Sequence, residues 1–148
     1  MYQNQYYNPY GNYRTPYDAP LIRDIKQAID GEYSAVACYS QLIEIAPKKE
    51  EKQQIREILQ DEKDHLETFK KIYTILTGRQ PVPQIIEECP NAYREGITAA
   101  FKDEQETVDF YLEIADKAHD VFIKESFRRA SADEQNHAVW FLYFIGSP

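Results

Sequence analysis

Apolar residues recur every three or four positions through most of this 148-residue chain, the spacing of amphipathic helices. No segment shows the sustained alternation of apolar and polar residues that is typical of a half-buried strand. The predicted fold class is therefore all-α, with Asp18 and Asp120 as helix N-caps. The predicted helices are A, from about 19 to 46; B, from about 48 to 76; C, from about 91 to 117; and D, from about 121 to 146.

The lengths of the connections predict how these helices are arranged. The A–B and C–D connections are short, which favours two antiparallel helical hairpins. The B–C connection is longer, with 14 residues from Thr77 to Pro90. At about 3.3 Å per residue it can reach about 45 Å, which is about the length of helix B. Helices B and C can therefore lie parallel, joined by a long crossover.

The apolar stripe of helix B is interrupted in the stretch DEKDHLETF, residues 61–69. Ile58 and Leu66 lie on the stripe, and the positions between them on that face are Glu62 and His65. The helix therefore directs a carboxylate and an imidazole toward the core, where apolar side chains are expected.

The second half of the chain repeats this interruption at a constant offset of 72 residues. Identity between the halves is otherwise weak, so a duplication retained at the matched positions is the simplest explanation. In each helix the matched polar residues fall on the core-facing stripe, near small alanine residues. The matched pairs are Glu32/Glu104, Tyr39/Tyr111, Asp61/Asp133, Glu62/Glu134, His65/His137 and Phe69/Phe141.

Four carboxylates and two imidazoles in one core need a compensating charge. Desolvating each ion costs several kcal/mol, whereas a whole domain is stable by roughly 5–15 kcal/mol. The stripes contain no lysine or arginine, but two divalent cations would neutralise four carboxylates. Carboxylate and imidazole together suit iron or manganese better than calcium or copper. The candidate metal ligands are Glu32, Glu62, His65, Glu104, Glu134 and His137.

Two Glu-x-x-His motifs, with one further glutamate on each of the other helices, form the pattern of di-metal carboxylate bundles. Over about 21–146 the chain resembles the ferritin-like superfamily, specifically its rubrerythrin- and bacterioferritin-type branch. The resemblance implies a four-helix bundle with two iron ions, or manganese in their place. It implies that Glu32 and His65 bind one metal, Glu104 and His137 bind the other, and Glu62 and Glu134 bridge both.

The same resemblance suggests supporting roles for two more matched pairs. Asp61 and Asp133 resemble the carboxylates that hold the ligating histidine of the opposite hairpin through its distal N–H. As an alternative, they are solvated helix residues. Tyr39 and Tyr111 resemble tyrosines that hydrogen-bond near such sites, and the alternative for them is a packing role in the core.

The chain also departs from its apparent relatives. Many rubrerythrins carry an extra glutamate one turn after the helix C ligand, where this chain has Thr107, and Glu106 points elsewhere. The paired CxxC motifs of a rubredoxin domain are missing, so the electron donor is unknown. Lys63 and Asp64 occupy the interval where bacterioferritins place a haem-binding methionine, so no haem is expected. These departures argue against haem binding, iron storage in a cage and peroxidase activity with an internal electron donor.

Composition narrows the classes of partner. The net charge of −8 argues against nucleic-acid binding, and no apolar run is long enough for a membrane helix. With no visible secretory signal, the expected location is cytoplasmic. Cys38 and Cys89 form no CxxC motif and are interpreted as a buried small residue and a linker thiol.

Residues 1–20 hold six of the twelve tyrosines among Asn, Gln, Gly and Pro, with no Leu, Ile or Val. Such a segment cannot bury enough surface to offset its ordering entropy, which predicts a flexible tail. The tail serves either as a solubilising extension or as a tyrosine-rich element that docks on a partner. The domain predicted to follow it spans residues 21–146.

The leading functional hypothesis is a di-iron redox protein, of ferroxidase or peroxidase type, that reacts with O₂ or H₂O₂. Two alternatives remain open: a di-manganese catalase-like enzyme, and a non-catalytic, metal-stabilised helical module in a larger assembly. The resemblance also implies a homodimer.

Overall fold

The computed structural model describes residues 18–148, which form a four-helix bundle without strands. The all-α prediction is confirmed for this range, and the helix ends agree with the predicted ones to within two residues. The predicted tyrosine-rich tail falls largely on residues 1–17, which lie outside the described range. The helices are α1 (Ala19–Ile45), α2 (Lys49–Thr77), α3 (Tyr93–Lys117) and α4 (Val121–Ile145).

Local sequence explains where the helices begin and end. The Asp120 side chain accepts a hydrogen bond from the Ile123 amide at 3.0 Å, which caps α4 as predicted. Gly78 follows α2 with φ of 73°, a left-handed conformation that glycine adopts without strain. Pro20 lies in the first turn of α1, where its missing N–H is not needed.

Two lysines hold the ends of the hairpins in the same way. Lys52 Nζ donates to the Ile43 carbonyl at 3.0 Å, and Lys124 Nζ donates to the Ala115 carbonyl at 2.8 Å. Both donors and both acceptors differ by 72 positions. The duplication therefore includes surface contacts as well as the buried residues.

The bundle has the crossover topology predicted from the long connection. α1 packs antiparallel to α2 and α3 packs antiparallel to α4, as the two short connections require. Gly96, in the first turn of α3, lies directly against Leu42 near the end of α1, so these two helices are also antiparallel. α2 and α3 are therefore parallel.

Residues 78–92 connect α2 to α3 and form the crossover. They run along α1 in the same direction as that helix. The Gln84 amide donates to Asp30 Oδ1 at 3.0 Å, and the Ile86 amide donates to Ser34 Oγ at 2.9 Å. Further along, Cys89 is joined to Cys38 of α1 by a disulfide, with 5.1 Å between the Cα atoms. The interpretation of the two cysteines as separate thiols is wrong, because the crossover packs on α1 and brings them together.

Apolar side chains fill the two ends of the bundle and leave a polar layer between them. At one end Phe69 stacks on Phe127, with 4.2 Å between the ring centroids. At the other end Phe141 packs on Tyr39 with 5.2 Å between centroids. Phe69 and Phe141, which are related by the repeat, therefore pack at opposite ends of the bundle. Among the described residues, no helix combines the length and the apolarity that crossing a bilayer requires.

Candidate metal centre

Six polar side chains converge in the layer between the two apolar clusters. α1 and α3 contribute one glutamate each, and α2 and α4 contribute a glutamate and a histidine each. Each residue is at most 7% exposed, and within residues 18–148 no lysine or arginine is buried beside them. These six residues are those selected from the sequence: Glu32, Glu62, His65, Glu104, Glu134 and His137.

The six side chains form two overlapping groups of four. In each group, one potential ligand atom per residue lies within 4.8 Å of all the others. Both groups contain Glu62 and Glu134, which therefore lie between two possible cation positions. Glu32 and His65 complete one group, and Glu104 and His137 complete the other.

Each histidine turns its Nδ1 atom toward the shared glutamates. His65 Nδ1 lies 3.2 Å from Glu134 Oε1, and His137 Nδ1 lies 3.1 Å from Glu62 Oε1. The terminal glutamates are close as well, with Glu32 Oε1 3.4 Å from His65 Nδ1 and Glu104 Oε2 3.5 Å from His137 Nδ1. The two groups are therefore almost equivalent in geometry.

One atom of each of the six residues is buried and makes no hydrogen bond. An unsatisfied buried polar atom costs about 1–3 kcal/mol, so six in one layer call for a ligand that none of the neighbouring side chains supplies. All six are oxygen or imidazole-nitrogen donors, which suits iron or manganese. The residues therefore fit a pair of divalent cations. The atoms are Glu32 Oε2, Glu62 Oε1, His65 Nδ1, Glu104 Oε2, Glu134 Oε1 and His137 Nδ1.

The distal nitrogens of both histidines are held by carboxylates of the opposite hairpin. His65 Nε2 lies 2.8 Å from Asp133 Oδ2, and His137 Nε2 lies 2.8 Å from Asp61 Oδ2. Partial burial by itself raises the pKa of Asp133, but the hydrogen bond from His65 outweighs it and the pKa is lowered. An ionised aspartate accepts from Nε2–H, which leaves Nδ1 available as a ligand.

Two buried tyrosines connect α1 and α3 through the terminal glutamates. Tyr39 donates to Glu104 Oε1 at 2.5 Å, and Tyr111 donates to Glu32 Oε1. Burial, and next the nearby carboxylates, raise the pKa of both phenols well above the ordinary value. Both phenols are therefore protonated donors at neutral pH, each fixing one oxygen of a glutamate and leaving the other free.

Without a cation, the layer must hold protons instead. Burial, and next the neighbouring carboxylates, raise the pKa values of Glu62 and Glu134 well above the ordinary value. Burial alone lowers the histidine pKa values, but the surrounding carboxylates, with Asp133 first for His65 and Glu104 first for His137, outweigh it. They raise the pKa of His65 to about 10 and that of His137 to about 11. Protons and divalent cations therefore compete for the same six residues.

A cavity of about 150 Å³ connects this layer with solvent between α1, α3 and the crossover. We call it the vestibule. Its inner wall includes Glu32, Glu62 and Glu134, and its outer wall includes Glu87, Asp103 and Glu106. Burial, and next the charge of Glu87, raise the pKa of Asp103 to about 7.

The outer acidic residues were not selected from the sequence. Glu106 was expected to point away from the site, yet it lines the vestibule, as does Thr107. Asp103 could have been noted because it immediately precedes Glu104. Glu87 carries no such signal, because its position depends on the path of the crossover along α1.

A four-helix bundle with crossover topology and a buried carboxylate–histidine layer defines the ferritin-like di-metal class. Sequence comparison supports this assignment in both halves of the chain. The model of the family described as "Ubiquinone biosynthesis protein COQ7" matches residues 21–101, and that of the rubrerythrin family matches residues 95–147. The chain therefore belongs to the ferritin-like di-iron family that rubrerythrins and COQ7 proteins represent, which confirms the resemblance.

Individual relatives extend the match over nearly the whole chain. The uncharacterized protein YhjR of Bacillus subtilis is 49% identical over 92% of this chain and 95% of its own length. A hypothetical protein from Pyrococcus furiosus has a similar structure, with a TM-score of 0.75 over 90% of this chain and 92% of its own. At 20% identity, that structure supports the fold alone.

Proposed function

We propose that this protein is a di-iron carboxylate redox protein that reacts with O₂ or H₂O₂, of ferroxidase or peroxidase type. The observation that carries the proposal is the set of six buried donor atoms, one on each predicted ligand, that make no hydrogen bond. Family membership supports the same metal class.

The two overlapping groups suggest how the ligands would be shared. Glu62 and Glu134 belong to both groups and would bridge two iron ions. Glu32 with His65 would complete one coordination sphere, and Glu104 with His137 the other. Bound iron would supply the electrons and the open coordination position that reduction of O₂ or H₂O₂ requires.

The surrounding residues hold this arrangement in place. Asp133 and Asp61 orient the two imidazoles, and the phenols of Tyr39 and Tyr111 each fix one oxygen of a terminal glutamate. Oε1 of Glu62 and Oε1 of Glu134 accept no hydrogen bond, so these two oxygens would be free to bind both metal ions.

The vestibule sets the size and polarity of what reaches the layer. A cavity of about 150 Å³ lined by carboxylates admits O₂, H₂O₂ and hydrated cations. The apolar clusters on either side close the remaining approaches along the bundle axis. Because the outer wall is acidic, it also favours entry of Fe²⁺ from solvent.

Metal analysis of the protein purified without added metal tests the proposal. We expect about two iron atoms per chain, consumption of O₂ or H₂O₂ when Fe²⁺ is supplied, and near-ultraviolet absorption from the oxidised iron pair. Two manganese ions and release of O₂ from H₂O₂ would favour the catalase-like alternative. Two bound metals without reaction toward either oxidant would favour the structural module.

The donor that restores reduced iron is proposed to be external. The 148 residues contain no rubredoxin-type motif that would supply these electrons. The homodimer and the cytoplasmic location stay predictions, tested by the mass in solution and by cell fractionation.

A further inference from the structure

The disulfide between Cys38 and Cys89 lies next to the vestibule: Cys38 lines a smaller neighbouring cavity that shares Glu87 and Asp103 with it. Cys38 is on α1, immediately before Tyr39, and Cys89 is on the crossover, two residues after Glu87 of the outer wall. Both cysteines are only partly buried, so a thiol in solution can approach the bond.

Covalent attachment at this point controls how firmly the crossover lies on α1. Two hydrogen bonds hold its first part, from the Gln84 and Ile86 amides to side chains of α1. Beyond Ile86, the disulfide is the only covalent attachment within residues 18–148, and Gln41 adds one long hydrogen bond of 3.4 Å to the Pro90 carbonyl. Glu87 therefore lies between two attachments to α1, the Ile86 hydrogen bond on one side and the disulfide on the other.

The internal repeat has no second disulfide at the matching position. The residue related to Cys38 by the 72-residue offset is Phe110, which packs on the core and lines the vestibule from α3. The disulfide is therefore a feature of the first hairpin and the crossover, and it is not part of the repeated layer.

We propose that Cys38–Cys89 is a site of thiol–disulfide exchange with an external dithiol, and that its reduction releases the crossover wall of the vestibule. The exchange itself depends only on the disulfide. Its consequence for metal entry and exit rests on the proposed function.

The exchange balances as a two-electron reduction. A thiolate of the external dithiol attacks Cys89 Sγ, the bond between the two cysteines breaks, and its electron pair leaves on Cys38 Sγ, which takes a proton. The second thiol of the reductant then attacks the mixed disulfide and releases Cys89 as a thiol. The protein gains two electrons and two protons, and the reductant becomes a disulfide.

Local charge narrows the class of reductant. Glu87 and Glu88 precede Cys89 directly, and both are exposed. Their charges repel an anionic thiol such as glutathione, while a neutral dithiol or a protein dithiol with a neutral or basic face is not repelled. Dithiols without negative charge are therefore the expected substrates.

Measurements on the metal-free protein test the exchange. Dithiothreitol should produce two free thiols per chain, detected by mass after alkylation, and glutathione at equal thiol concentration should react more slowly. Amide hydrogen exchange of Gln84 and Ile86, whose amides donate to α1 side chains, should then rise by about tenfold or more, because the segment loses its covalent attachment. Exchange at the centre of α1 should not change.

The double variant Cys38→Ser, Cys89→Ser separates loosening of the crossover from any other effect of the reductant. Without reductant it should show the rapid exchange of the reduced protein, and dithiothreitol should not change it. If the variant does not fold, wild-type protein that has been reduced, alkylated and freed of reductant serves the same purpose. Unchanged protection of the Gln84 and Ile86 amides after complete reduction would overturn the proposal.

Metal release provides a second measurement. A chelator should remove iron from the reduced protein at least several-fold faster than from the oxidised protein, at equal occupancy. Equal rates would overturn the gating part of the proposal. A protein that binds no iron would contradict the proposed function instead, while the hydrogen-exchange result would still stand.

Discussion

The two hairpins share their buried polar layer but differ outside it. In the layer, Tyr39 bonds Glu104 and Tyr111 bonds Glu32, so each hairpin supplies the same contacts to the other. Outside the layer, Cys38 is bound to the crossover, whereas the corresponding Phe110 is part of the core wall.

The supporting aspartates differ in a smaller way. The Asp133 side chain is 22% exposed and also pairs with Arg129 at 3.2 Å, while the Asp61 side chain is 47% exposed. The residues that face the candidate cations are thus nearly symmetric, whereas the residues that contact solvent or the crossover differ between the hairpins. Metal binding constrains the residues of the layer, and access to the layer constrains the residues around it.

The strongest test of the symmetry is removal of one shared glutamate. Glu62→Ala and Glu134→Ala should each abolish tight binding of a metal pair, because each residue belongs to both ligand groups. Metal content after dialysis measures the loss. Glu67→Ala, an exposed position on the same helix as Glu62, is the matched control and should retain both metals. Retention of two metals by either shared-glutamate variant would contradict the bridging assignment.

The stability of the metal-free protein should fall as pH rises. His65 and His137 have pKa values of about 10 and 11 when folded, against about 6.5 when unfolded. The folded state therefore holds more protons above pH 6.5, so this stabilisation is complete below that pH and is lost toward pH 10 to 11. Glu62 and Glu134, whose pKa values are also raised, act in the same direction.

Urea unfolding between pH 6 and 10 measures this dependence. The metal-loaded protein is the control and should show a weaker or reversed slope, because cations replace the protons in the layer. A metal-free protein whose stability rises over this range would show that the histidines are not held in the charged form.

Periodicity in the sequence was sufficient to predict the four helices and the six converging residues. The stripe on each helix, together with the 72-residue offset, placed Glu62 and His65 in the core without any knowledge of the fold. The same offset relates Lys52 to Lys124, whose contacts at the hairpin ends also match.

The path of the crossover along α1 could not be predicted in the same way. It has no helical period, and Cys38 and Cys89 are separated by 51 residues without a recognisable motif. Their pairing depends on which helix the crossover packs against, a choice decided by contacts such as Ile86 with Ser34. Glu87 in the outer wall of the vestibule was missed for the same physical reason.

The tyrosines provide a test with a smaller expected effect. Tyr39→Phe and Tyr111→Phe should each destabilise the metal-free protein by about 1–3 kcal/mol, the cost of leaving a buried acceptor without its donor. Both residues are 2% exposed, so the two effects should be similar. Tyr33→Phe, at an exposed position on α1, should change the free energy of unfolding by less than about 0.5 kcal/mol. A large difference between the two buried variants would show that the halves are not energetically equivalent.

The aspartates should reveal the smallest difference between the hairpins. Asp133→Asn and Asp61→Asn should each weaken metal binding by about 10–100-fold, the usual effect of losing a carboxylate behind a ligating histidine. The loss should be larger for Asp133. Asp61 is the more exposed of the two aspartates, so water can replace its hydrogen bond to His137 Nε2. Competition with a chelator at fixed pH measures both affinities, and Asp64→Asn, at an exposed position on α2, is the control. A greater loss for Asp61 would mean that the exposure of the aspartate does not determine how well it fixes the imidazole.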